Sequence, residues 1–186
     1  MYYLINGSPG KNGNTAQMMK KVAEGIKGAG GEDVITHLYD YQFKGCVSCF
    51  GCKLKWKEPG HCMVKYGISG LLEDINHADG IVLGSTLYYS DVSGALCSFL
   101  ERLYFSHMFY NKENRPAPLN IPCAVIITCA MPSFGIVALK KKLRKVGKPL
   151  GHLCGTKPEY LSNMGTILFQ EPFRYEAGVN YKTWTE

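Results

Sequence analysis

Apolar and polar positions along the chain alternate between two periods. Tyr2–Asn6 is a short apolar run that predicts a buried strand. Met18, Met19, Val22, Ala23 and Ile26 then recur at helical spacing, with Lys20, Lys21 and Glu24 between them, so Thr15–Lys27 reads as an amphipathic helix. Gly28–Gly31 stops it. Asp33–Tyr39 carries Val34, Ile35 and Leu38 and predicts a second strand. Ile68, Leu71, Leu72 and Ile75 mark another helix, and Gly80–Ser85 has the unbroken apolar character of a strand covered on both faces. Ala95, Leu96, Phe99, Leu100 and Leu103 describe a third helix. Cys123–Ala130 is a fourth strand. Ile136, Leu139, Leu143 and Val146 give a fourth helix, and Thr166–Gln170 reads as a fifth strand.

Strands alternating with helices predict parallel pairing with helices on both faces. Five strands in 186 residues suit an α/β three-layer sandwich of flavodoxin-like type, with a five-stranded parallel sheet in the order 2-1-3-4-5. The expectation is one domain over residues 1–186, with a cysteine-rich loop at about 40–66 and an unpatterned tail at about 171–186. In such sheets ligands sit beyond the carboxyl ends of the strands. That draws attention to Gly7–Thr15, Thr86–Ser93 and Cys129–Phe134, the loops after the first, third and fourth strands.

A hydrophobic content of 46% allows a sizeable core and excludes a disordered chain. The net charge of +6 is compatible with a small anionic ligand and does not call for nucleic acid. No apolar run is long enough to span a bilayer, and the opening residues lack the pattern of a signal peptide, so a cytoplasmic location without membrane attachment is expected. Lys140–Lys145 falls at helical spacing with apolar partners and reads as a solvated helix face. The histidines form no metal-protease pair, and Ser8 is not in a nucleophile elbow.

The loop "NGSPGKNGNT" carries the most chemistry. A Walker loop fails on Asn12 after Gly10-Lys11, and a dinucleotide fingerprint fails on the spacing of Gly7, Gly10 and Gly13. What is left is a set of neutral donors, Ser8, Asn12, Asn14 and Thr15, beside glycines whose N–H groups can approach an anion at a helix N-terminus. A compact terminal phosphate fits such a loop better than a pyrophosphate.

These residues, with "CVSCFGC", "PGHC" and "ADGIVLGSTLYYSDVSGALCSFLERL", resemble the flavodoxin-like FMN-dependent NAD(P)H oxidoreductases, which include the iron-sulfur flavoproteins. The resemblance covers roughly Met1 to Phe134. It implies that Ser8, Lys11, Asn12, Gly13, Asn14 and Thr15 hold the FMN phosphate. Ser85, Thr86, Leu87, Tyr88 and Tyr89 would border the isoalloxazine, as would Thr128, Cys129, Ala130 and Met131. Three positions depart from the family's habit: Thr86 replaces a proline, Cys97 a lysine, and Lys65 is not followed by an acidic pair. The implied activity is electron transfer from NAD(P)H through flavin to a quinone, a flavin or an electron-transfer protein. No catalytic acid or base is implied, since the cofactor carries the chemistry. An electron carrier without direct NAD(P)H turnover is the first rival, and a non-enzymatic cysteine-loop metal or interaction module is the second. A homodimer or homotetramer is expected, because one small sheet cannot shield a flavin from water alone; Tyr181 and Trp184 of the tail are available to cover a neighbour.

Cys46, Cys49, Cys52 and Cys62 follow C-x2-C-x2-C-x9-C. Thiolates at x2 spacing can converge on one centre. The resemblance offers a [4Fe–4S] cluster, but the final gap is longer than the family's compact run. The sequence therefore leaves three readings: a cluster, a zinc site, and a thiol loop without metal, the last favoured by the charged gap "KLKWKEPGH".

Overall fold

A computed structural model describes residues 1–54, 60–65, 67–89, 91–108, 119–129 and 136–164. Six strands are seen among them: β1 (Tyr2–Asn6), β2 (Asp33–His37), β3 (Gly80–Tyr88), β4 (Asp91–Val92), β5 (Cys123–Cys129) and β6 (Glu159–Met164). The helices are α1 (Asn14–Gly28), α2 (Ser69–Ile75), α3 (Gly94–His107) and α4 (Ile136–Cys154), with 3-10 turns at Leu38–Asp40 and Gly51–Lys53. The parallel sheet runs β2-β1-β3-β5-β6, which is the order 2-1-3-4-5 once the two-residue β4 is set aside as an antiparallel partner of β3.

Alternation across the pleat divides the core. Leu4, Val82 and Ile126 face α1, where Met19 and Ala23 are buried with them. Ile5, Ile81, Leu83, Val125 and Ile127 point the other way, into a larger core closed by α2, α3 and α4. In α3, Leu96, Phe99, Leu100 and Leu103 form the buried stripe. Each such side chain contributes about 1.5–3 kcal/mol by leaving water, so the central strands are held from both faces.

Two expectations are corrected, and one strand is added. The second strand ends at His37, and the chain turns into a 3-10 helix whose Leu38 is buried in the main core. The segment after the third strand is no open loop at first: β3 continues to Tyr88 and folds back through β4. Among the described residues the fifth parallel strand is Glu159–Met164, which the apolar pattern did not predict; the expected strand Thr166–Gln170 lies outside the described residues. β6 pairs only with β5 in the described sheet and leaves Glu159 and Tyr160 exposed. A strand with one wet side carries polar residues, and an apolar-run criterion passes over it.

No described helix is long and apolar enough to cross a membrane.

Candidate functional site

The first, third and fourth parallel strands deliver their carboxyl ends to one place. Asn6 of β1 stands beside Gly84 of β3, and Thr86 of β3 beside Thr128 of β5. The loop after β1 is built from Asn6, which is fully buried. Its Oδ1 accepts the Ser8 N–H at 2.8 Å, and its Nδ2 donates to His37 Nδ1 at 3.0 Å. That donor fixes His37 in the tautomer with its proton on Nε2. Burial holds His37 below the ordinary imidazole value, with Asp40 opposing.

Gly7 follows, and only glycine fits: a Cβ there would stand 2.7 Å from Leu96 Cβ on α3. Ser93 locks the same junction. Its Oγ donates to the Gly7 carbonyl and accepts the Leu96 N–H at 3.2 Å, while its own N–H donates to Ser85 Oγ at 3.0 Å. One residue therefore caps α3, holds the first loop and braces the end of β3.

The N-terminus of α1 opens into this junction. Gly13 is its N-cap, no side chain caps it, and its first turn holds no acid. The leading N–H groups and the positive end of the helix dipole are thus left for an anion. Ser8 and Thr15 are buried beside it. Thr15 Oγ1 shares a 2.7 Å hydrogen bond with Thr128 Oγ1, which joins the first turn of α1 to the end of β5. Asn12, Gly13 and Asn14 lie at the loop's outer part, where Gln17 Nε2 donates to the Asn12 carbonyl. Lys11 pairs with Asp40 at 2.6 Å, both well exposed, so its ammonium already has a carboxylate partner.

Ser85 is fully buried, Thr86 and Leu87 are partly covered, Tyr88 is half exposed, and Tyr89 stands free of the surface with φ 48°. Cys129 is buried at the end of β5. Ala130 and Met131 lie outside the described residues, as do Tyr181 and Trp184. Asn6 and Ser93 were not anticipated. Asn6 ends a strand and Ser93 precedes a helical stripe, and those positions were the available signals.

The four loop cysteines lie against the C-terminal half of α3. Cys46, Cys49, Cys52 and Cys62 line one small, open cavity with Phe50, Arg102 and Phe105. The long gap thus does not keep Cys62 away from the other three. Helix α3 holds the loop at several points. Glu101 Oε2 accepts the Cys46 N–H at 3.2 Å, Lys53 donates to the Phe105 and Met108 carbonyls, and the rings of Phe50 and Phe105 meet edge-on at 5.6 Å. Lys53 at a helix C-terminus is favourably placed against the dipole. Burial pushes the Cys52 thiol up, with Lys53 opposing. Among the described residues no three His, Cys, Asp or Glu side chains converge tightly enough for a single metal ion.

The return of the loop rests on His107. Gly60, with φ 87°, donates its N–H to the Ser106 carbonyl and packs so closely that a Cβ would lie 2.7 Å from His107 Nε2. His107 Nδ1 donates to the Leu103 carbonyl at 2.8 Å, and Nε2 faces the Asn76 amide at 2.9 Å. A turned-over amide presents its Nδ2, otherwise buried without a partner, to the neutral ring. Burial holds His107 below the usual imidazole value of about 6.5, the Leu103 carbonyl opposing. The unfolded chain therefore takes up the proton first on acidification. This contribution to stability is complete above about pH 6.5 and is lost as pH falls toward the folded value. His107→Gln is expected to flatten the fall of Tm between about pH 7 and pH 5; a slope equal to wild type rejects this account.

A family model described as NADPH-dependent FMN reductase matches residues 2–165. The chain belongs to that family. The NADPH-dependent FMN reductase match spans both the edge of the sheet and the cysteine loop. The iron-sulfur flavoprotein of Archaeoglobus fulgidus is 38% identical over 112 residues, 60% of this chain and 53% of the relative. That of Methanocaldococcus jannaschii is 33% identical over 98 residues, 53% of this chain and 49% of the relative. The chain thus spans about half the length of these two curated relatives. Among solved structures, an NAD(P)H:quinone oxidoreductase from Methanothermobacter marburgensis superposes with TM-score 0.65 at 17% identity, covering 88% of this chain and 84% of that one. An FMN-dependent NADH-azoreductase from Bacillus anthracis, in complex with FMN, gives 0.64 at 12% identity, covering 91% and 89%. At such identities the two structures establish the flavodoxin-like fold of this NADPH-dependent FMN reductase family member.

Proposed function

We propose that the protein is an FMN-dependent NAD(P)H oxidoreductase passing electrons to a quinone, flavin or electron-transfer acceptor. The carrying observation is the Thr15–Thr128 hydrogen bond, which ties the uncapped first turn of α1 to the end of β5. Ser8, Thr15 and the first N–H groups of α1 would seat the phosphate, with Asn12, Gly13 and Asn14 at its outer side. Lys11 would add potential, but only as one half of its pair with Asp40. Thr86–Tyr89 would border the ring on one side, and Thr128 and Cys129 on the other. FMN, when bound, accepts hydride and releases electrons. The chain's own part is to anchor the phosphate, orient the ring and keep water from it. Purified protein with an absorbance spectrum of bound FMN and consumption of NAD(P)H under air supports this reading. Flavin without turnover favours the electron carrier, and a colourless protein that does not take up FMN rejects both. Light scattering at micromolar concentration is expected to give a dimer or tetramer; a monomer mass rejects the shared shielding of the flavin.

A second centre is favoured by a specific observation: all four loop cysteines line a single cavity. Four cysteines on one largely apolar wall are the donor set that a [4Fe–4S] cluster requires. Cys46, Cys49, Cys52 and Cys62 would hold it. This reading stands beside the metal-free loop expected from the length of the gap, and the iron assay decides between them. The relatives' names agree with it. About four irons and four acid-labile sulfides per chain after anaerobic purification support it; near zero with FMN retained restores the thiol loop.

A further inference from the structure

Among the described residues Arg102 is the largest fully buried side chain, 2% exposed, on a helix face otherwise made of leucine, phenylalanine and Ser106. A guanidinium cannot lose its proton, and moving it out of water costs several kcal/mol unless anions and acceptors meet it. Its Nη2 donates to Cys62 Sγ at 3.1 Å and to the Val64 carbonyl, and its side chain forms part of the cysteine cavity wall. The preceding residue, Glu101, turns its carboxylate to the Cys46 N–H at the first cysteine. Two consecutive residues of α3 thus hold the first and last cysteines of the set. The acid takes a backbone donor, and the base takes a sulfur.

We propose that Arg102 is a positioning residue of the cysteine cavity, which holds Cys62 in place and sets a fixed positive charge against its sulfur, favouring the more negative state of a thiolate-held centre. The proposal rests on the cluster reading above. A plain structural staple would need only the bond to the Val64 carbonyl. The contact with sulfur gives the charge a second effect, because a hydrogen bond to a cluster sulfur and a nearby charge both act on reduction potential. The positive charge opposes the loss of an added electron, so it raises the potential.

The test compares Arg102→Gln, which keeps a donor without the charge, with Arg102→Lys, which keeps the charge without the fork. Each is purified anaerobically as holoprotein, assayed for iron and sulfide, and titrated potentiometrically. Arg102→Gln is expected to hold its iron with a midpoint potential lowered by the equivalent of tenfold in the one-electron equilibrium, about 59 mV. Arg102→Lys is expected to stay closer to wild type than to Arg102→Gln. A full cluster in Arg102→Gln at the wild-type potential overturns the proposal and leaves the cluster reading standing. Wild type that assembles no centre overturns both. Should Arg102→Gln not fold, wild type carrying guanidino-labelled heavy-nitrogen arginine is reduced with dithionite and read by pulsed EPR. A nitrogen coupling to the reduced centre supports the proposal, and its absence overturns it.

Discussion

The double variant Ser8→Ala, Thr15→Ala is expected to bind FMN at least tenfold more weakly than wild type. Two hydroxyls, Thr15 and Thr128, share one bond at 2.7 Å. That bond uses one of their two protons and leaves the other for an outside acceptor. Ser8 has its N–H engaged by Asn6, so its hydroxyl is the group left to serve a ligand. Each hydrogen bond lost to a charged group costs about 1.5–3 kcal/mol, and about 1.4 kcal/mol is a factor of ten in affinity. Thr15→Ala also strands the buried Thr128 hydroxyl, which adds a stability loss of about 1–3 kcal/mol. Flavin titration by fluorescence at a temperature where both proteins are folded separates the two effects. Equal affinities would remove this loop from the phosphate site.

Gly7→Ala is expected to lower stability by about 1–3 kcal/mol, the usual range for forcing an atom into a packed interior. At about 2–4 °C per kcal/mol for a chain of this size, Tm falls by several degrees. The added methyl meets Leu96 Cβ at 2.7 Å and the Gly84 carbonyl at 3.3 Å. Neither is the tip of a flexible side chain, so β1 and α3 must part. That movement strains the Ser93 clamp and displaces Ser8, and FMN affinity should fall with Tm. Thermal unfolding and flavin titration on the same preparation check both. A variant with wild-type Tm would mean that the junction yields more easily than its packing indicates.

Ser8, Thr15 and Gly7 differ in how far the sequence reveals them. Ser8 and Thr15 stand out because glycines and short polar residues interrupt the apolar period between a strand and a helix. Gly7 was legible only as part of a phosphate-loop pattern; its reason, the approach of Leu96, lies 89 positions along the chain. Asn6 reads as the polar end of a strand, and its two hydrogen bonds reach a residue two positions on and another on β2. Lys11 looks like a phosphate ligand in the sequence, but Asp40 beyond β2 claims it. Glu159–Met164 is not legible as a strand in the apolar pattern because its pairing with β5, and not apolar content, makes it one.

The amino-acid pattern alone determined the alternation of strand and helix, the parallel sheet and the loops at its carboxyl edge. These follow from local periodicity: a buried strand must be apolar, an amphipathic helix must repeat near 3.6 residues, and a right-handed crossover leaves few ways to order them. Tertiary structure decided which polar atoms face one another. Thr15 and Thr128 are 113 positions apart, and Arg102 and Cys62 are 40. Nothing in the spacing of C-x2-C-x2-C-x9-C says whether the last cysteine returns to the first three. It returns because Gly60 docks on the end of α3, Arg102 draws in Cys62 and Val64, and Lys53 closes the helix terminus. Such contacts depend on surfaces that exist only once the helix has packed on its sheet, which is why a linear pattern can name the cysteines without showing that they share a cavity.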